Sequence, residues 1–259
     1  MIDTNVSIGP WPFRKLEGTD LARLTARLQR NGITQAWTGS LEGLFDRDVA
    51  GVNERLATAC RQTAPGLLVP FGTVNPVLPA WQEDLRRCAE IHQFHGIRLH
   101  PGFHGYDLGL PAFEQLLKES AERGLIVQLV ATMEDERTQH PVFQVPSVNL
   151  TPLAALVKQH PSLRLVVLNA FRKLSLEEAG KLAAAGQVWF DIAMLEGVDR
   201  LGALASKVSP QRILLGSHAP LFYVESAVLK LQETTLPTQI IELIRQTNAQ
   251  ELTRFPTAN

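Results

Sequence analysis

The chain has 259 residues, 45% of them hydrophobic and 20% charged, close to soluble globular averages and enough for two ordinary domains or one barrel-sized one. Twenty-five Lys and Arg stand against 26 Asp and Glu, so no net field favours nucleic acid or an anionic membrane as a partner. No apolar run nears the ~18–20 residues that cross a bilayer and no basic-then-apolar leader is read; the two cysteines, Cys60 and Cys88, fall in helix-like stretches, so buried thiols in a reducing cytoplasm are expected.

Short apolar runs alternate with longer amphipathic ones. A strand is predicted over residues 2–6 and a helix over 20–30, where Leu21, Leu24 and Leu28 share a face between a capping Thr19 and Gly32. Strand 33–38 precedes helix 52–62, with Val52, Leu56 and Ala59 on one face. Strand 67–74 precedes helix 80–92, opened by Pro79. Strand 96–100 leads to helix 111–123, and strand 125–131 to an irregular stretch, 132–151, before helix 152–159. Irregular loops of that length in a compact domain are usually functional lids or disordered. Strand 163–169 is followed by helix 175–185, where Ser175 and Glu178 form a capping-box pattern. Strand 188–192, helix 198–206 and strand 212–217 complete the alternation, and helices 223–231, 238–246 and 248–254 follow.

Strict alternation implies parallel neighbours joined by right-handed crossovers. Eight units in this length predict a single-domain (β/α)8 TIM barrel over 1–259, with extra C-terminal helices. No Gly-x-Gly-x-x-Gly follows the first strand, which argues against a dinucleotide-binding sheet. In such a barrel the site forms at the C-terminal ends of the strands. Standing there are Asn5 and Ser7, Trp37, Thr38 and Ser40, Asn75, Arg98 and His100, Gln128, Asn169 and Arg172, Asp191, Ser217 and His218. His104, Tyr106, Glu134, Asp135 and His140 lie in the loops beyond. Four of the seven histidines thus gather on one face; His92, His95 and His160 fall at helix ends.

Gly96-Ile97-Arg98-Leu99-His100-Pro101, Leu214-Leu215-Gly216-Ser217-His218-Ala219-Pro220 and Asn248-Ala249-Gln250-Glu251-Leu252, in this order on an eight-unit chain, resemble segments of the amidohydrolase-related family of metal-dependent hydrolases. That resemblance implies one divalent ion, or two. Its ligands would be two histidines of a strand-one Asp-x-His-x-His, a histidine after strand five, another after strand six, and a strand-eight aspartate that also serves as base. Here the matching positions read Asn5, Ser7, about Val130, Asn169 and His218, and no His-x-His occurs anywhere. Zinc wants three or four imidazole, thiolate or carboxylate ligands, and Asn and Ser are weak neutral donors. No metal or other cofactor is therefore expected. The alternative is a relocated site for zinc or magnesium, drawn from His100, His104, Glu134, Asp135, His140 and His218. His100 and His104 are four apart, but Pro101, Gly102 and Gly105 argue against the helix that would align them.

The expected function is a hydrolase or lyase of amidohydrolase type acting on a small polar, anionic substrate. His218, with Glu134 or Asp135, would move protons, since a carboxylate fixes an imidazole's tautomer and raises its basicity; His100 joins them as a catalytic candidate. Asn5, Arg98, His104, Tyr106, His140, Asn169 and Arg172 would bind, and Trp37 with Trp11, Phe103 and Tyr106 would supply a stacking wall. A non-catalytic binding or sensing protein on the same barrel is the competing reading. Proteins that look like this are commonly homodimers, so a homodimer is expected too.

Overall fold

Eight apolar runs pair in sequence order, each parallel to the next, in the computed structural model, which describes residues 1–17, 19–135, 137 and 139–254. The strands are β1 (Ile2–Ile8), β2 (Gln35–Ser40), β3 (Leu68–Thr73), β4 (Gly96–Leu99), β5 (Ile126–Val130), β6 (Arg164–Leu168), β7 (Val188–Asp191) and β8 (Ile213–Leu214). The ring closes through residues 215–219. Thr4 donates its backbone N–H to Leu215 O at 2.8 Å, Ser7 to Ala219 O at 2.8 Å, and His218 to Asn5 O at 2.7 Å. The result is the expected single-domain (β/α)8 barrel. Strand eight is shorter than the 212–217 predicted, because the N–H of Leu215 goes to Ile244 O and the chain then crosses β1.

The helices follow the apolar periodicity, with differences at the caps. Helix α1 (Leu21–Arg30) starts at Asp20, whose carboxylate accepts the N–H of Arg23; Asp20, not Thr19, caps it. Helix α2 (Val49–Thr63) begins earlier than predicted because Asp48 caps it through Gly51 N. Then come α3 (Trp81–Arg86), α4 (Pro101–His104), α5 (Pro111–Glu122), α6 (Leu153–Gln159) and α7 (Leu176–Ala185), where Ser175 and Glu178 complete the capping box. Helices α8 (Arg200–Ala205), α9 (Val224–Glu233), α10 (Thr238–Glu242) and α11 (Asn248–Arg254) close the chain. Helix α4 corrects an expectation. Pro101 sits at a first turn, where its missing N–H costs nothing, and Gly105 ends the turn at φ 69°. One turn therefore does form between His100 and His104.

Alternation along the strands separates two cores. Ile97, Leu99, Val127, Leu129, Leu165 and Val167 face the helices. Trp37, Phe71, Ile126, Val166, Leu168 and Leu214 belong to the inner cluster. Helix α11 lies across the N-terminal ends of β6 and β8. Arg164 donates to Leu252 O at 2.6 Å, and Asn248 to Ile213 O and Pro210 O at 2.8 Å. That end is thereby covered, and the functional mouth is left to the C-terminal ends. Among the described residues no helix is long and apolar enough to cross a membrane.

One buried amide ties a helix to the barrel. Asn53 of α2 gives its Nδ2 to Thr73 O at 2.9 Å and takes the Thr73 N–H on Oδ1 at 2.8 Å. Asn53→Ala strands both backbone groups, at about 1–3 kcal/mol each. A stability loss of about 2–4 kcal/mol in urea unfolding is expected. A loss below about 0.5 kcal/mol would mean that water takes over both groups.

Candidate functional site at the barrel mouth

The floor of the mouth is built around a buried cation. Arg98, 1% exposed, points inward from β4. Its Nε donates to Gln128 Oε1 at 2.8 Å, one terminal nitrogen to Val6 O at 2.8 Å and Ser7 Oγ at 3.1 Å, and the other to Trp37 O at 3.0 Å. Gln128 passes the contact on to Thr4 O at 2.7 Å. Gly39 makes room, since a Cβ there would stand 2.8 Å from the guanidinium. Burial lowers the Arg98 pKa to about 10, with Asp191 and Asp3 opposing the fall, so the group stays charged at neutral pH.

Above Arg98 lies a neutral amide pair held by a carboxylate. Asn5 Nδ2 donates to Asp191 Oδ2 at 2.8 Å and to Asn169 Oδ1 at 2.9 Å. The Asn169 N–H meets Asp191 Oδ1 at 2.7 Å, and its Nδ2 meets Thr132 O at 2.8 Å. Gly216 leaves space for Asp191, whose Oδ2 would be 2.6 Å from an added Cβ. Asp3 accepts the N–H groups of Asn5 and Ser217. Asn169 and His218 both hold positive φ, 59° and 61°, a strained conformation for residues with a side chain.

The three mouth histidines differ in how they are held. His218 Nε2 donates to Met133 O at 2.7 Å, which fixes its tautomer. His104 Nε2 donates to Gly43 O at 2.9 Å and leaves Nδ1 without a partner. His100, 3% exposed, has no hydrogen-bond partner on either ring nitrogen. It faces a cavity of about 10 Å³ walled by Phe103, Met133, Gln139, Val145 and Pro146, room for about one water.

Phe103 of α4, which walls that cavity, joins a cluster of aromatic residues from three loops. Phe13 stacks on Phe143 at 5.1 Å, Trp11 meets Phe13 at 5.3 Å, and Phe45 meets Phe103 at 5.6 Å. Glu134, 5% exposed, is ion-paired to Arg14. Asp135 is held by Arg137 at 2.6 Å and Arg172 at 2.7 Å, and Arg172 also grips Glu196 at 2.9 Å. The start of this roof, at Glu134, Asp135 and Arg137, is therefore tied down by salt bridges.

Several expectations need correction on this geometry. Glu134 and Asp135 are committed to arginines, so neither orients His218; a backbone carbonyl does that. Trp37 is fully buried and stacks on Phe71 at 4.9 Å inside the barrel, away from the mouth wall. Tyr106 packs against Phe113 at 5.8 Å in the outer core, its hydroxyl unpartnered. His140 is exposed on the roof, 6.3 Å from Phe13. Arg98 and Arg172 are spent on structure, one in the floor and one under the roof. Asn5, Asn169, His100, His104 and His218 do converge. Phe13, Phe45, Phe143 and Gln139 were missed; the signal available was aromatic residues in Pro-flanked loops, Trp11-Pro12-Phe13 and Pro141-Val142-Phe143.

The sequence profile of the amidohydrolase family matches residues 19–255. A comparison with curated proteins found no match. Solved structures with the same fold include 2,6-dihydroxybenzoate decarboxylase from Rhizobium, at 16% identity over 98% of this chain and 97% of that one, TM-score 0.72. A dihydroxybenzoic acid decarboxylase from Polaromonas, with bound manganese and the inhibitor 2-nitroresorcinol, matches at 11% identity over 99% and 97%, TM-score 0.73. A 5-carboxyvanillate decarboxylase from Novosphingobium aromaticivorans, with bound manganese, matches at 18% identity over 90% and 80%, TM-score 0.70. At these identities the likeness establishes the fold.

The bound manganese of two of these relatives overturns the expectation that no cofactor is called for. The side chains of this mouth, as arranged, do not fit that ion. Asn5 turns N–H groups toward Asp191 and Asn169, and the Oδ1 of Asn169 is already taken by Asn5 while its Nδ2 goes to Thr132 O. Among the described residues no three His, Cys, Asp or Glu side chains converge, which holds also for the relocated set.

Burial lowers the pKa of His100, His104 and His218, the last to about 4. An unfolded histidine takes a proton below about 6.5 that folded His218 refuses until about 4, so stability falls as pH drops through that window. The contribution of His218 is on the order of 3 kcal/mol. Asp3 acts oppositely: burial raises it to about 6, so folding gains a proton as pH falls from 6 toward 3.8. Urea midpoints are expected to fall between pH 6.5 and 4.5, and more steeply in Asp3→Asn. A flat profile, unchanged by that substitution, would contradict both assignments.

Proposed function

Because this chain belongs to the amidohydrolase family, we propose that it is an enzyme acting on a small aromatic carboxylic acid beneath the aromatic roof, as a lyase that releases the carboxyl group. One observation carries the reading: His100 is a deeply buried imidazole with both nitrogens unpartnered, facing a small cavity walled by Phe103, Met133, Val145 and Pro146 together with the polar Gln139. Two further features support it. The roof offers ring faces suited to a planar substrate. The structural relatives described above are named as decarboxylases of hydroxylated aromatic acids.

Loss of carbon dioxide from an aryl carboxylate breaks a C–C bond and leaves its electron pair on the ring carbon, which must then receive a proton. A neutral imidazole with neither nitrogen fixed can give a proton from one nitrogen while taking one at the other. Burial, and the nearby positive charge of Arg98, keep His100 neutral. The tautomer of His218 is fixed by Met133, so it positions the roof and does not relay protons. The unpartnered Nδ1 of His104 is the group proposed to bind a polar substituent of the ring, since Asn5 and Asn169 are taken up by Asp191, Thr132 and each other. The manganese of the relatives brings a divalent ion into question here too, yet the donors present do not make a set for it, and no step is drawn through one. Two buried free thiols, Cys60 and Cys88, suit a cytoplasmic setting.

The test is carbon dioxide release from 2,6-dihydroxybenzoate and related hydroxybenzoates, with and without added Mn²⁺. Wild type is expected to turn over at least one. His100→Gln should lower kcat by about 10²–10⁴-fold while the melting temperature is held. Binding without conversion in either metal condition would favour the sensing alternative, and full activity in His100→Gln would overturn the role given to that residue.

A further inference from the structure

The end of the barrel opposite the mouth carries a second pocket, of about 450 Å³, between the starts of β7 and β8 and helix α11. Trp189 of β7, Arg212 just before β8, and Asn248, Glu251, Leu252 and Arg254 of α11 line it. Asn248, Glu251 and Leu252 are spaced i, i+3 and i+4, so one face of α11 meets the pocket. The volume is in the range of pockets that hold small ligands. None of these residues serves the reaction assigned above.

Two of the polar groups here are incomplete. The Arg212 guanidinium lies over the Trp189 ring, with Cζ 4.2 Å from the ring centroid, and Trp189 spends its own N–H on Gln211 O at 3.0 Å. Arg212 makes no hydrogen bond or ion pair among the described residues, and its Nη1 is buried. Burial lowers its pKa, with no carboxylate acting against the fall. Asn248, 2% exposed, gives Nδ2 to Pro210 O and Ile213 O at 2.8 Å, and its Oδ1 has no partner. Buried donors and acceptors nearly always find partners. A cation lacking an acceptor and an acceptor lacking a donor, in one pocket, together call for a ligand that carries both. Glu251 adds an exposed carboxylate one turn along α11 from Asn248 and forms no ion pair with Arg212 or Arg254 among the described residues.

We propose that this pocket is a binding site for a free α-amino acid with an apolar side chain. Its carboxylate meets Arg212, its ammonium meets Asn248 Oδ1 and Glu251, and its side chain lies along Leu252 and Trp189. A zwitterion supplies both missing partners with charge-assisted hydrogen bonds. A simple anion would leave Asn248 Oδ1 unfilled and stand near Glu251, and a simple amine would leave Arg212 unfilled. The proposal does not rest on His100 or on the reaction at the mouth.

The experiment is titration of the full chain with L-leucine, L-methionine and L-phenylalanine, read by calorimetry and by tryptophan fluorescence. At least one should bind with Kd below about 1 mM. The deaminated acid and the decarboxylated amine of the tightest binder should each bind about ten-fold or more weakly. Arg212→Gln and Glu251→Gln should each weaken the amino acid several-fold, Trp189→Phe should remove the fluorescence change, and His100→Gln should leave the affinity unchanged. If Arg212→Gln lowers the melting temperature, Glu251→Gln at its exposed position and the two analogues decide the matter. No binding by any of the three amino acids, equal affinity for either analogue, or affinity untouched by Glu251→Gln would overturn the proposal. Binding lost in His100→Gln would put the amino acid at the mouth and overturn it as well.

Discussion

A guanidinium buried inside a barrel has to be fully hydrogen-bonded, and the mouth of this protein is organised by that demand. Arg98 reaches across from β4 to Val6 O of β1 and Trp37 O of β2, and shares Gln128 of β5. Four strands are thereby held in register by one side chain. An isolated buried cation would cost several kcal/mol. Asp3 and Asp191 sit close enough to offset its charge, and each is in turn satisfied by backbone or amide N–H groups.

The rest of the site inherits this arrangement. With the floor saturated, Asn5 and Asn169 are drawn into the network of Asp191, and His218 is drawn up to the roof through Met133. The polar groups left without partners lie to one side, at the end of β4 and the one-turn α4, where His100 and His104 stand. A roof of aromatic rings and salt bridges closes over them. The imidazole without partners thus stands at a rigid strand end, beside a loop held by side-chain contacts.

The barrel was legible because every strand is a short apolar run and every helix has a face. Eight parallel strands in order leave few other topologies. The loss of the strand-one histidines was equally plain at Asn5 and Ser7. What the sequence could not show is partnership. Glu134, Asp135, Arg98 and Arg172 are the residue types of an acid–base or anion site, and whether they face a cavity or one another depends on contacts made by residues from Val6 to Glu196, far apart in the chain. Pro101, Gly102 and Gly105 read as helix breakers, although Pro101 opens a turn and Gly105 ends it. The aromatic roof was hidden for the opposite reason: its members come from three loops and α4, with no period to connect them.

The central claim is that His100 is a neutral imidazole with neither nitrogen fixed by the protein. Nitrogen-15 NMR of histidine-labelled protein, with His100→Gln used to assign the signal, tests it directly. The account predicts a His100 ring that is still neutral where a free histidine is half protonated, and that populates both tautomers. A ring that is protonated above pH 6, or held in a single tautomer throughout, would contradict it.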